Sequence, residues 1–396
     1  MAHKKSLLFI GHTYHLKTKS SDFIQQILSK KYDLTHFYFD PRQDDASVYK
    51  ELTGKVFDVI VLWQIMPSIN TLKKYIRFDK GVFFPMYDYY ISQGGIFSPL
   101  WAEYTQIQTI CFSKKIYNDL INVGFSAQYI QYFPKPLPTK NMGQSDSVFF
   151  WQRTNEINIQ TVETILKNTH LNHIHFHKAL DPGHQFVQPS YRLQQKITYS
   201  SWYNKKEDML ADVQKSALYI APRIYEGIGM SFLEAMALGR CVIAHNDATM
   251  NEYIEHGKTG FLYDVKEPRP LDIHHIRQIQ KNTLKYIRDG YKQWEKEKKN
   301  ILVWMEEELN VDLAKIKHHV SRLPKKIKPV QKMDKYRIYF AGLRLFELQS
   351  SPSKRVYYFC KIPVFKIKQK QLQQKKSYHL FGFIPLLTIK KRSYKC

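Results

Sequence analysis

Glu226 and Glu234 are separated by seven residues inside the run Ala221–Asp264, APRIYEGIGMSFLEAMALGRCVIAHNDATMNEYIEHGKTGFLYD. The residue order predicts a strand that leaves its sheet at Pro222, a loop with Gly227 and Gly229, and a helix that starts near Ser231. Ser231 is a good N-cap residue, and Gly239 ends the helix as a C′ glycine does. That order suits a ligand carrying a diphosphate. Glycines let backbone come close, and a helix start offers free N–H groups and a positive dipole end. A carboxylate beside the diphosphate would repel it. Glu226 and Glu234 are therefore read as acceptors for sugar and ribose hydroxyls on either side, a role an ionised carboxylate fills well. Alone, either glutamate is more often a surface or capping group; the joint pattern points to a site.

Metal chemistry finds little support in the residue types. No Asp-x-Asp triplet occurs in the chain, which disfavours a site that holds its diphosphate through a divalent ion. A helix start and basic side chains can take the leaving charge instead, without an obligatory metal. His173, His175 and His177 alternate along an expected strand, so three imidazoles share one face. With no carboxylate or Cys at ligand spacing, a polar strand face is the preferred reading over a metal site. The four cysteines, Cys111, Cys241, Cys360 and Cys396, are far apart, which fits a reducing compartment better than a disulfide framework.

The elements that must position these residues alternate. Strands are expected at Ser6–Gly11, Leu34–Phe39, Val56–Leu62, Gly81–Met86 and Thr109–Ser113, with helical patterns such as Asp22–Leu28 and Lys115–Val123 between them. The proline-rich Phe133–Met142 is the best linker candidate. A second series follows, with strands at Ser147–Trp151, His173–His177, Ala217–Ala221 and Cys241–His245. Its helices are expected at Ile159–Lys167, Glu207–Lys215 and Ser231–Leu238, and over much of Asp272–Leu313. Such alternation implies parallel sheets covered on both faces, and two facing units would form a cleft beyond the carboxyl ends of their strands. The expected divisions are 1–134, a linker 135–146, 147–323 and a tail 324–396.

The run SFLEAMALGRCVIA, the run EYIEHGKTGFLY and the glutamate spacing together resemble the signature of retaining glycosyltransferases of the GT-B fold, glycosyltransferase family 4 in particular. The resemblance covers 147–264 well and the N-terminal half in outline. It implies an α/β fold of two facing Rossmann-like domains. It implies that Glu226 contacts the donor sugar, that Glu234 holds the nucleotide ribose, and that Gly227, Ile228, Gly229 and Met230 present amides to the diphosphate. Arg153, in FFWQRTNE, matches the arginine that neutralises the leaving phosphate. Most relatives carry a lysine about five residues later; Asn158 stands there, and Arg223 is the candidate to supply the missing charge. In FPMYDYY, Asp88 is the candidate acceptor-orienting group, and Gly11–His12 resembles the loop that approaches the donor. The implied activity is transfer of a sugar from a UDP-, GDP- or ADP-sugar to a hydroxyl of a surface glycan or glycolipid, with no obligatory cofactor and no metal.

Of the formal charge of +25, about +17 falls within Lys325–Cys396, which has 19 Lys/Arg against Asp334 and Glu347. Three related units begin at Tyr336, Tyr357 and Tyr378, each 21 residues apart, and each is expected to form a hairpin. They resemble the aromatic, lysine-rich repeats appended to some bacterial polysaccharide glycosyltransferases. Residues 324–396 are expected to hold the enzyme to an anionic membrane surface. With no apolar run of export or spanning length, the protein is expected in the cytoplasm, at the inner face of the membrane. Oligomerisation through the tail, a nucleic-acid-binding role, and a GT-B epimerase or phosphorylase are the competing readings. No recognised nucleic-acid motif supports the second.

Overall fold

A computed structural model of the chain describes residues 4–41, 46–139 and 141–323 in full, and six strands between 334 and 390 by their backbone. The first sheet consists of β1 (Lys5–His12), β2 (Tyr32–Phe39), β3 (Val56–Gln64), β4 (Arg77–Pro85), β5 (Ile107–Cys111) and β6 (Ala127–Tyr129), all parallel, in the order β2-β1-β3-β4-β5-β6. Its apolar runs are long because both faces are covered. Alternation sends Leu7, Phe9, Val59, Val61 and Trp63 into one core, and Leu8, Ile10, Ile60 and Leu62 into another. Each such side chain, fully buried, contributes about 1.5–3 kcal/mol.

The second sheet repeats the design with β7 (Gln144–Gln152), β8 (His173–Lys178), β9 (Ile197–Ser200), β10 (Ser216–Ile220), β11 (Cys241–His245) and β12 (Gly260–Tyr263), again parallel, in the order β12-β11-β10-β7-β8-β9. Val148, Phe150, Leu218 and Ile243 pack on one face. Phe149, Tyr219 and Val242 on the other join the cluster that holds Trp63, Phe84 and Phe112 of the first sheet. One continuous apolar core thus spans both sheets. Trp294 seals it, with its ring 5.1 Å from Tyr132 and 5.9 Å from Phe23. This is the GT-B architecture of two Rossmann-like domains.

Three strands lie outside the sequence expectation. β6, β9 and β12 are three or four residues long and close the sheet edges, where β6 and β9 have no continuous buried run to announce them. The helix Leu313–Ser321 falls within the span expected for the second domain but packs on the first. Its Ile316 joins Ile116, Leu120 and Phe125, and the Asp312 amide donates to Gly124 O at 2.9 Å. In the proline-rich connection, the fully buried Arg240 donates to the carbonyls of Asn141 (2.8 Å), Gln214 (2.7 Å) and Ser216 (2.9 Å). Burial, with Arg277 nearby, pulls its pKa down to about 10. The carbonyl cage satisfies its donors without a carboxylate.

Residues 326–396 form a separate compact unit. Its strands β13 (Asp334–Phe340), β14 (Leu343–Ser351), β15 (Lys354–Phe359), β16 (Ile362–Lys370), β17 (Lys375–Leu380) and β18 (Ile384–Lys390) pair antiparallel in chain order. Each 21-residue unit is one hairpin, closed at the pairs Phe340↔Leu343, Phe359↔Ile362 and Leu380↔Ile384. Between hairpins the register pairs Leu348 with Tyr357 and Phe365 with Leu380.

Candidate functional site

In the second sheet β8 and β9 lie on one side of β7, and β10 to β12 on the other. The crossovers therefore change direction between β7 and β10, and a crevice opens beyond the carboxyl ends of those two strands. Arg153 is the first residue after β7. Arg223 and Glu226 follow β10 by a few residues. The topology alone brings these three together, although they are as much as 73 positions apart in sequence.

The two arginines share one carboxylate. Arg153 Nη2 lies 2.9 Å and Nε 3.1 Å from Asp181 Oδ1, and Arg223 Nη2 lies 2.5 Å from Asp181 Oδ2. Asp181 sits just beyond the end of β8, and its own amide donates to Arg153 O at 2.9 Å. Burial opposes ionisation of Asp181, but the two guanidinium groups outweigh it and hold its pKa below the usual carboxylate value. Arg153 also stacks over Trp151, 4.7 Å from the ring centroid. Arg223, the candidate for the charge of the missing lysine, reaches the same carboxylate as Arg153. Asn158, at the expected lysine position, instead caps the helix Ile159–Ile165 by accepting from the amides of Gln160 (2.9 Å) and Thr161 (3.4 Å).

Glu226 is buried at 8% exposure, and its Oε1 has no hydrogen-bond partner. Burial pushes its pKa up against the opposing pull of Arg223 and Arg153. A buried acceptor left open beside two cations is where a ligand hydroxyl would bond. Glu234 is equally buried. It pairs with the Lys206 ammonium, and burial still raises its pKa.

The helix that carries Glu234 differs from expectation in its first residue. It spans Met230–Ala237, and Gly229, not Ser231, is the N-cap, with no side-chain cap. The first amides are thus left for an external acceptor. Ser231 lies inside the first turn and bonds Tyr219 instead. Gly229 has φ +84°, and a Cβ there would fall 1.8 Å from the Phe232 ring, so both backbone and packing demand glycine. At the other end the Gly239 amide donates to Met236 O and the Arg240 amide to Ala235 O, both at 2.9 Å, the paired C-terminal bonds expected of a C′ glycine.

The first domain closes the crevice. Asp88 opens the helix Tyr87–Ser92 after β4. It lies 3.5 Å from Arg223 Nη1 and accepts from Gln64 Nε2 at 3.4 Å. A Cβ on Gly227 would stand 3.0 Å from Met86 Cβ and 3.1 Å from Asp88 Oδ1, so this loop and the Asp88 helix meet backbone to side chain. Tyr87 donates to Asp247 Oδ1 at 3.1 Å, and Arg153 donates to the Tyr14 hydroxyl at 3.4 Å. Gly11 lies within β1, which runs on through His12, so these two residues belong to the strand end and not to a following loop. The structure thus gathers Asp88, Arg153, Arg223, Glu226, Gly227 and Gly229 around the crevice.

Asp181, Lys206 and Gln64 carry no motif and were not foreseen. Each sits at or just beyond a strand's carboxyl end or at a helix start in the half of the fold facing the crevice, and that position is the only sequence signal they have. His175 and His177 are buried on β8. Ser200 Oγ lies 2.8 Å from one ring nitrogen of each, and Tyr203 and Asp212 complete the network. Burial lowers both pKa values, that of His177 to about 4. Among the described residues no group of three or more His, Cys, Asp or Glu side chains is arranged to hold a metal ion.

Residues 189–300 match the family Glycosyl transferases group 1. Among solved structures the chain is similar to sucrose-phosphate synthase from Thermosynechococcus elongatus, at 12% identity and TM-score 0.56, covering 76% of this chain and 100% of that one. It is also similar to a trehalose-6-phosphate synthase studied for glycosyl transfer with retention, at 8% identity and TM-score 0.53, covering 76% and 99%. A third is an S. aureus TarM variant in complex with fondaparinux, alpha-GlcNAc-glycerol and UDP, at 13% identity and TM-score 0.41; the match covers 63% of this chain and spans 55% of that one. No curated protein matches the chain in sequence. The matched segment 189–300 contains Arg223, Glu226, Gly229 and Glu234, and the likeness to the two synthases is one of fold.

Proposed function

We propose that this chain is a glycosyltransferase that moves a sugar from a nucleotide-diphosphate sugar to a hydroxyl of a glycan or glycolipid, with retention and without an obligatory metal. The observation that carries the reading is the pair of buried glutamates flanking an uncapped helix start, with two arginines converging beside it. The free amides at Gly229 and Met230 receive the diphosphate, Glu234 the ribose, and Glu226 the hydroxyls of the sugar. Arg153 and Arg223 neutralise the leaving diphosphate. As the bond from the anomeric carbon to the diphosphate oxygen breaks, a new bond forms to the acceptor oxygen. The acceptor's proton passes to the departing phosphate, so no enzymic nucleophile is required. Asp88 orients the acceptor from the first domain.

Residues 324–396 are read as the contact with an anionic membrane, which places the enzyme at the inner face of the cell membrane beside a lipid-linked acceptor. Among the described residues no helix is long and apolar enough to cross a membrane. The deciding experiment is a thermal-shift screen against UDP-, GDP-, ADP- and CMP-sugars, followed by turnover with the donor that stabilises most. One donor raising the melting temperature of the native protein but not of Glu234→Ala supports the reading. No stabilisation by any nucleotide sugar, or epimerisation of the donor without acceptor, overturns it.

A further inference from the structure

Six cations, Arg277, Lys281, Lys285, Arg288, Lys292 and Lys296, recur at steps of three or four along the helix Ile276–Glu297, and all six are exposed. At 3.6 residues per turn they fall within an arc of about 100° and run for about 28 Å. The buried side chains Ile279, Thr283, Ile287 and Trp294 lie on the opposite side, so the stripe points to solvent. Few carboxylates compensate it. Glu295 is taken by Lys298 at 2.5 Å, and Asp289 lies 3.6 Å from Lys292. Arg277 is committed to the carbonyls of Met142 (3.0 Å) and Gly143 (2.9 Å). Lys281, Lys285, Arg288 and Lys296 have no ion-pair partner among the described residues. At mid-helix the stripe borders a shallow cavity of about 480 Å³, where Lys135 and Pro136 from the interdomain connection face Lys285, Arg288, Tyr291 and Lys292; the carboxylate of Asp289 also lines it, against four cations.

We propose that this helix face is a docking surface for the anionic phospholipids of a membrane leaflet, separate from the C-terminal sheet. The mid-helix cavity accepts one phosphate headgroup. A linear, exposed, uncompensated row of long cationic side chains matches a plane of negative charge, and each well-placed Lys or Arg adds about 1 kcal/mol of attraction there. Tyr291, half-buried beside three of the cations, has the amphipathic ring that favours the headgroup level. Single-stranded nucleic acid is the poorer fit, because Tyr291 is the one aromatic ring among the residues lining the cavity and is half-buried, whereas stacking successive bases needs a series of exposed rings. A protein partner is poorer still, because the arc has no apolar centre to desolvate. The surface deepens the reading of a membrane-facing enzyme and rests on it for its purpose. Its test reads binding and not turnover, so either can fail alone.

The test uses the full chain. Sedimentation with phosphatidylcholine vesicles containing phosphatidylglycerol, at physiological salt, compares the parent with Lys285→Gln/Arg288→Gln/Lys292→Gln. A control of equal charge loss elsewhere, Lys50→Gln/Lys55→Gln/Lys74→Gln, runs beside it. The stripe variant is expected to bind vesicles about a hundredfold more weakly than the control, with an unchanged melting curve and an unchanged stabilisation by the nucleotide sugar. If the triple variant does not fold, the pair Lys285→Gln/Arg288→Gln carries the same comparison. Equal losses in stripe and control variants would mean that net charge alone acts, and would overturn the proposal. So would retained vesicle affinity, or a loss of duplex DNA binding with vesicle binding intact. Inorganic phosphate that displaces the protein from vesicles far better than chloride of equal ionic strength would reassign the cavity to a soluble anion and overturn the lipid assignment.

Discussion

Arg223, beyond the end of β10 in the second domain, lies 3.5 Å from Asp88, at the start of a first-domain helix. The same guanidinium holds Asp181 at 2.5 Å. One side chain therefore ties the crevice across both domains and is held between carboxylates of each. On the proposed reading, a donor diphosphate competes with those carboxylates for arginines that are already held in place.

The first prediction concerns the glutamates. Glu226→Ala is expected to lower kcat more, and Glu234→Ala to raise the donor KM more, each costing about 10²-fold or more in kcat/KM. Both variants are expected to stay folded. Steady-state kinetics with the donor found by thermal shift check this, and near-native kinetics in both would remove the site assignment.

Arg153 and Arg223 share Asp181, so their effects are expected to be non-additive. Arg153→Ala should cost more than Arg223→Ala, and the double variant should cost less than the product of the two. Asp181→Asn should keep the fold and weaken donor affinity, because the arginines lose the group that aims them. Activity is expected to persist in EDTA. Loss on chelation that manganese or magnesium restores would contradict the metal-independent reading.

Burial raises the pKa of Glu226 above its unfolded value, so ionising it disfavours the folded state. The stability tied to its neutral form is present below the ordinary Glu pKa of about 4.3 and is lost as pH rises through the raised value. Glu226→Gln is therefore expected to melt at the native temperature near pH 4 and above it at neutral pH. Melting curves across that range decide the point, and an advantage that shrinks as pH rises would refute it.

Gly229→Ala should destabilise the second domain. The left-handed conformation at φ +84° costs about 1–2 kcal/mol with a Cβ, and the overlap with Phe232 adds about 1–3 kcal/mol. Donor affinity is expected to fall further than stability alone explains, because the displaced helix start is the proposed place of the phosphate-binding amides. Denaturant melts and donor titration of the same variant separate the two effects.

For the tail, raising salt from low to physiological strength and beyond should release the chain from anionic vesicles while transfer to a short soluble acceptor continues. Vesicle binding that is indifferent to salt would argue that apolar contact, and not charge, holds the protein to the membrane.

The alternation of apolar runs determined the two parallel sheets, because a strand buried on both faces must be apolar throughout. The glycine pattern around Glu226 and Glu234 determined where a strand would turn into a helix, because only glycine fits the left-handed position at Gly229. The 21-residue spacing of Tyr336, Tyr357 and Tyr378 determined three hairpins, each of which is a local structure. What lay beyond the sequence depends on distant contacts. Edge strands such as β9 take their conformation from a neighbouring strand and carry no pattern of their own. The helix Leu313–Ser321 returns to the first domain because a core there accepts Ile316. Asp181 belongs to the site only because β8 lies beside β7, which brings its carboxylate to Arg153 and Arg223. A lone loop aspartate carries no such information, since its partners are chosen by the order of strands in the sheet.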